Sequence, residues 1–182
     1  SPGAEAIVWF DWYTLAFIVP ITIFVMGLLA YVCWNFRASA NPEPSQTTHN
    51  TAIEVVWTLA PVAILVAIAI PSFQLLTAQF NPPKEPGITI KTTGYQWYWG
   101  YEYPEQDGVA TELSFDALML QEDELREGQP RLLATDNEVV VPVNKVVHVL
   151  VTAGDVMHNW TIPAFGSTID AVPGRVNSTW FT

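Results

Sequence analysis

The sequence predicts a membrane α-helical hairpin followed by an all-β domain in water. Three observations carry that expectation. Trp12 to Phe36 holds no charged side chain, Val55 to Pro83 holds none, and the remainder carries short runs with apolar and polar residues in alternation. A bilayer core of about 30 Å needs roughly 20 apolar residues in helix, since backbone polar groups find no water there. Both runs are long enough. The expected division is therefore a two-helix hairpin over 1–80, with helices at about 12–36 and 52–78, and an outer domain over 81–182.

The first run is not read as a secretory signal. Its leading flank carries Glu5 and Asp11 rather than basic residues, its apolar core is too long, and no small-residue cleavage site closes it. The link 38–50 is polar and holds Pro42 and Pro44, so it reads as a surface loop. Thr51 to Glu54 fits a capping box opening the second helix, with Thr51 as the cap. Pro61 and Pro71 fall inside that helix as kink positions, and Asn81-Pro82-Pro83 ends it. Arg37 is the single cation of the inter-helix loop, and the N-terminal flank has none. The positive-inside rule thus puts the loop inside and both termini outside.

The outer part holds 14 of the 18 acidic residues and six of the seven basic ones, a net charge of −8. Such a surface repels nucleic acid and attracts cationic partners. Cys33, the one cysteine, lies in the first apolar run, so no disulfide forms within the chain. Strands are expected at Ile88–Thr92, Val139–Val143, Val146–Thr152 and Val176–Thr182. In the last, Val176, Ser178, Trp180 and Thr182 share one face and Asn177, Thr179 and Phe181 the other. Gly94 to Tyr103 is densely aromatic. Read as one strand it puts Trp97, Trp99, Tyr101 and Tyr103 on one face and Tyr98 and Glu102 on the other. Residues 104–138 are acidic and turn-rich, with one helical turn at Gln121–Arg126.

No hydrolytic or phosphoryl-transfer motif is present. His158 follows a β-branched strand, and imidazole at a strand end is a good copper or zinc ligand. A lone histidine is nonetheless more often a hydrogen-bonded structural residue, and His148 and His49 have nothing to lift them above that. Glu54 serves as a helix cap on the simplest reading, and as a proton-accepting carboxylate at the membrane surface on the other. The tryptophan-rich run is either core or a docking face for a partner.

At specific residues the sequence resembles subunit II of cytochrome c oxidase. The similar segments are Thr47 to Pro61, Gly94 to Tyr103, Leu133 to Asn137 with Val140-Val141-Pro142, Asp155 to Pro163, and Asp170 to Arg175. They occur in the family's order along nearly the whole chain, and Phe115 to Leu120 resembles bacterial members. The resemblance implies a hairpin packed on a haem-bearing subunit I, with subunit III in the complex. It also implies a cupredoxin-like Greek-key sandwich holding a dinuclear copper A centre. The implied place is the bacterial inner membrane with the outer domain in the periplasm, the mitochondrial inner membrane being the alternative. The implied activity passes electrons from cytochrome c through copper A to subunit I, where oxygen is reduced and protons are pumped. On this sequence His158 becomes a copper ligand, and Trp97 the residue through which electrons enter. Glu54 becomes the mouth of a proton path, and Glu102, Asp116, Asp136 and Asp155 the acidic face that docks cytochrome c.

The family's other copper ligands lie in a later segment resembling C-S-E-x-C-G-x-x-H-x-x-M, which these 182 residues do not contain. Copper A needs two bridging thiolates. The expectation is one ligand here, in a sandwich incomplete at its C-terminus, with a further segment or a separate chain supplying the rest. Two competing readings remain: subunit II of a quinol oxidase, of the same architecture without copper, and a structural anchor or assembly factor with a degenerate β domain.

Overall fold

The computed structural model describes residues 1–82, 85–104 and 113–182. The chain forms two compact units, one of Val8–Leu75 and one of Ser1–Ile7 with Leu76–Thr182.

Two long helices, α1 (Pro2–Asn35) and α2 (Thr51–Phe80), dominate the first half. Both are long and apolar enough to cross a membrane, and neither buries a residue. Their side chains are left for lipid and other protein, unlike those of a soluble protein's core helix. Helix α1 begins ten residues ahead of the charge-free run. A charge-free run marks what lipid can cover, whereas the helix itself starts earlier, with Glu5 suiting its positive N-terminal end.

The cap of α2 is Asn50 rather than Thr51. Asn50 Oδ1 accepts the Ile53 N–H at 3.2 Å, and Glu54 Oε1 accepts the Asn50 N–H at 3.2 Å. The reciprocal pair of bonds expected of a capping box is present, opened one residue earlier.

Pro71 has no N–H to give the Ala67 carbonyl one turn before it. Tyr13 Oη donates to that oxygen at 3.1 Å, so the phenol of one helix satisfies the group that proline orphans in the other. The Tyr13 ring is held for this by Trp9, stacked at 5.4 Å, and Phe17, edge-on at 5.2 Å.

The described part of the outer unit holds β1 (Ile88–Tyr95), β2 (Tyr98–Tyr103), β3 (Leu113–Ala117), β4 (Val147–Ala153), β5 (His158–Ile162), β6 (Ser167–Ala171) and β7 (Asn177–Phe181). One sheet has the order β3-β2-β1-β4-β7 and a second pairs β5 with β6. Within the first sheet β1 and β4 run parallel, from Ile88↔Val147 to Gly94↔Ala153. Alternation in β4 buries Val147, Val149, Val151 and Ala153. With Ile90 and Phe181 they meet Trp160 and Ala171 of the second sheet, so the core lies between two β layers. Trp160 Nε1 donates to the Tyr101 hydroxyl at 3.3 Å, and burial pushes the Tyr101 phenol up.

Three sequence expectations are corrected. The aromatic run is a hairpin, with β1 ending at Tyr95 and β2 starting at Tyr98. Trp97 therefore stands on the turn and does not share the face of Trp99, Tyr101 and Tyr103. Val139–Val143 forms no strand. Tyr103 Oη accepts the Val140 N–H at 3.0 Å and donates to the Val140 carbonyl at 2.8 Å, taking both groups a ladder would use, and Pro142 has no N–H to offer. Within the stretch read as turns lies β3, while residues 105–112 of that stretch are outside the described residues. Gln121–Glu124 does form a single turn, closed by the Glu124 N–H on the Gln121 carbonyl at 3.1 Å.

Tyr13→Phe keeps the ring contacts and removes only the donor to Ala67. It is expected to cost the hairpin about 1 kcal/mol, the usual size of a hydrogen bond within a membrane. Reversible unfolding of the full chain in mixed micelles measures this, and unchanged stability would refute the assigned bond.

Candidate metal centre

Parallel pairing of β1 and β4 brings their C-terminal ends side by side. The chain leaves β1 through the Gln96-Trp97 turn and leaves β4 through Gly154–Met157 toward His158, the first residue of β5. Two glycines let these segments close up. A Cβ on Gly94 would lie 2.8 Å from Cγ and Cδ2 of His158, and one on Gly154 would lie 2.3 Å from the Tyr95 ring. Neither position requires a left-handed backbone; both require the absence of a side chain. The Gly154 N–H donates to the Gly94 carbonyl at 3.0 Å and fastens the junction.

Asp155 stands at the centre of this junction. Its Oδ2 accepts the Gln96 N–H at 2.7 Å, and its Oδ1 accepts the Val156 N–H at 2.6 Å and meets His158 Nε2 at 2.7 Å. The hydrogen bond from His158 holds the Asp155 carboxyl down at about 2, against the upward push of desolvation and with help from the Val156 and Gln96 N–H groups. An ionised carboxylate only accepts, so Nε2 must carry the proton. In the neutral ring that leaves the lone pair on Nδ1, the nitrogen a metal would take. The half-buried imidazole is steadied by Trp99, edge-on with centroids 5.8 Å apart. Trp97, on the turn that Asp155 grips, is 87% exposed. Beside it Tyr95 and Tyr98 stack at 4.9 Å.

The other singled-out carboxylates have separate settings. Glu102 is paired with Lys91 Nζ at 2.8 Å. It shares one face of the β2–β3 ladder with Asp116, since Glu102 faces Ser114 and Asp116 faces Gly100. These two line an open cleft of about 310 Å³ with Tyr95, Tyr101 and Phe115. Asp136 Oδ1 accepts the N–H groups of Leu118 and Asn137, at 2.7 and 2.8 Å. Glu54 lies in the first turn of α2, in the other unit. His148 lies within β4, and His49 in the loop before α2. The structure thus brings together His158, Asp155 and the Trp97 turn. Sequence reading missed Gly94, Trp99 and the bracing of Asp155. A glycine inside an aromatic strand was the available signal, because it marks close approach by another group.

The chemistry of these residues offers a metal a single candidate position. His158 offers Nδ1. No group of three or more His, Cys, Asp or Glu able to hold a metal occurs among the described residues, and Cys33 lies in α1. A dinuclear copper centre with bridging thiolates is not held by these side chains alone.

Comparison with known proteins gives concordant matches. Residues 88–182 match the family described as cytochrome C oxidase subunit II, periplasmic domain, and residues 1–75 match its transmembrane domain. The probable cytochrome c oxidase subunit 2 of Rickettsia felis is 46% identical over 180 residues, covering 99% of this chain and 56% of the relative. Cytochrome c oxidase subunit 2 of Cereibacter sphaeroides is 44% identical over 199 residues, covering 100% of this chain and 64% of the relative. The chain thus spans a little over half the length of the first of these relatives. The crystal structure of the periplasmic domain of cytochrome oxidase subunit II from Bradyrhizobium japonicum is 52% identical, with a TM-score of 0.47, covering 54% of this chain and 65% of that one. Two spanning helices and a periplasmic-type β domain make this a protein of the bacterial inner membrane. The chain belongs to the cytochrome c oxidase subunit II family, of the bacterial type.

Proposed function

We propose that the chain is the subunit through which electrons enter a cytochrome c oxidase, receiving them from cytochrome c and handing them to a haem-bearing subunit I. The observation that carries this reading is the junction just described. The turn that carries the exposed indole of Trp97 is tied at the Gln96 N–H, through one carboxylate, to the imidazole of His158. A copper A centre, when bound, supplies a one-electron carrier, and His158 is the residue here that would hold it. The thiolates such a centre requires come from elsewhere in the assembled oxidase.

Cytochrome c is the donor by charge. The outer part carries a net −8, and Glu102 and Asp116 present two of its carboxylates on one sheet face, while Asp136 and Asp155 each lie in a bend. Asp155 has both oxygens engaged by its own chain, which makes it the weakest docking candidate of the four. The remaining partners are oxidase subunits I and III and the lipid bilayer. Oxygen reduction and proton pumping belong to the whole complex, with Glu54 proposed as the mouth of a proton path. One apolar helix, α2, separates Glu54 from the outer domain in sequence, which supports a role for Glu54 apart from electron entry.

Stopped-flow reduction of the assembled oxidase tests the electron-accepting role. The association rate of cytochrome c should fall by about tenfold or more from low to high ionic strength. Trp97→Phe should slow electron transfer several-fold at saturating cytochrome c while leaving that salt dependence intact. Oxidation of quinol in place of cytochrome c would overturn the reading in favour of a quinol oxidase. Glu54→Gln separates the two roles of Glu54. Glutamine Oε1 still accepts the Asn50 N–H, so the helix should assemble with normal stability. Turnover should nevertheless drop while reduction by cytochrome c stays fast. Full turnover in the assembled variant would leave Glu54 as a cap alone.

A further inference from the structure

We propose that Asp155 is a positioning residue that couples the Trp97 turn to the His158 imidazole, fixing the ring tautomer and the turn with one carboxylate. The inference rests on the metal-centre reading above and adds a role to a residue that charge alone marks as a docking site.

The geometry is bidentate. Oδ2 takes the Gln96 N–H at 2.7 Å and Oδ1 takes His158 Nε2 at 2.7 Å, so each oxygen serves a different segment. Gln96 lies 59 residues from Asp155 in sequence, and it is the residue immediately before Trp97. A turn amide left without a partner would be free to swing. On the other side, a neutral imidazole has two tautomers of similar energy, and an acceptor at Nε2 selects the one with its lone pair on Nδ1. Ring orientation is further limited by Trp99 edge-on and by Gly94, whose missing Cβ is the space the ring occupies. The carboxylate is thereby committed inward. A docking carboxylate must stay available to a partner's lysine, whereas this one already accepts three hydrogen bonds, from Gln96, Val156 and His158.

The consequence is that the turn carrying Trp97 and the ligand imidazole are held in one frame. Displacing Asp155 should loosen both together, where a docking role would loosen neither.

The test uses the full chain in lipid nanodiscs, without copper and without cytochrome c, labelled with 15N at histidine and at Gln96. The chain has three histidines, so His49 and His148 serve as internal references. In the unaltered chain at mildly alkaline pH, His158 should show a single tautomer protonated at Nε2, and the Gln96 amide should exchange slowly. In Asp155→Ala the His158 signals should move to a tautomer mixture. The Gln96 amide should then exchange about tenfold faster or more, the loss expected for one hydrogen bond to a charged acceptor. An unchanged signal at either position would overturn the proposal. Should Asp155→Ala not fold, Asp155→Asn carries the same decision. The amide retains one acceptor oxygen, so one of the two signals should be lost, and retention of both would refute two-sided bracing. These readouts need no metal, so an error in the copper assignment would leave them standing and would show instead as a lack of copper in the assembled oxidase.

Discussion

Strands β1 and β4 run parallel and in register over seven residue pairs, and the rest of the outer unit is arranged around that pairing. Antiparallel strands would have placed the turn after one beside the start of the other. Parallel strands place both exits at the same end. The same ladder makes the core, because the alternation that buries Val147, Val149 and Val151 sets them against Trp160 and Ala171 of the second sheet. Fold and site are therefore two results of one register. A slip of a single residue would turn the valines outward and would part Gly94 from Ala153, dissolving the core and the junction together.

At that junction the chemistry is done with few parts. Two glycines remove bulk where rings must pass, one carboxylate joins the two exits, and one imidazole is left with a free nitrogen. The junction is cross-braced on its protein side by these bonds, which is what the proposed electron-transfer role would require. The hairpin solves a different problem with the same economy. Prolines in a membrane helix orphan carbonyls that no water can reach, and at Ala67 the orphan is met by Tyr13 from the other helix.

How much of this could be read from the sequence depended on the kind of signal. The spanning helices were plain because lipid excludes charge over long runs, and the core strands β1, β4 and β7 were plain because one buried face enforces a period of two. The aromatic hairpin was hidden. Its turn falls at Gln96-Trp97, which carries none of the Gly, Asn or Asp that marks tight turns, and period-two alternation runs on through it undisturbed. Val139–Val143 misled for the opposite reason: its composition suits a strand, but Tyr103 takes the backbone groups of Val140 first. His158 and Trp97 were singled out by residue type and resemblance, whereas the partnership between them was not legible. It depends on a backbone N–H and a side chain 59 residues apart, and a long-range hydrogen bond leaves no local pattern.

The assembled oxidase carrying His158→Asn decides most directly whether this end of the β domain is a metal centre. Copper content and the electron paramagnetic resonance of the centre should be measured against the unaltered enzyme, with haem content as the check on assembly. If His158 holds copper, the variant should assemble with its haems and lose or visibly alter the copper signal. A copper signal identical to that of the unaltered oxidase would contradict the assignment of His158 as a ligand.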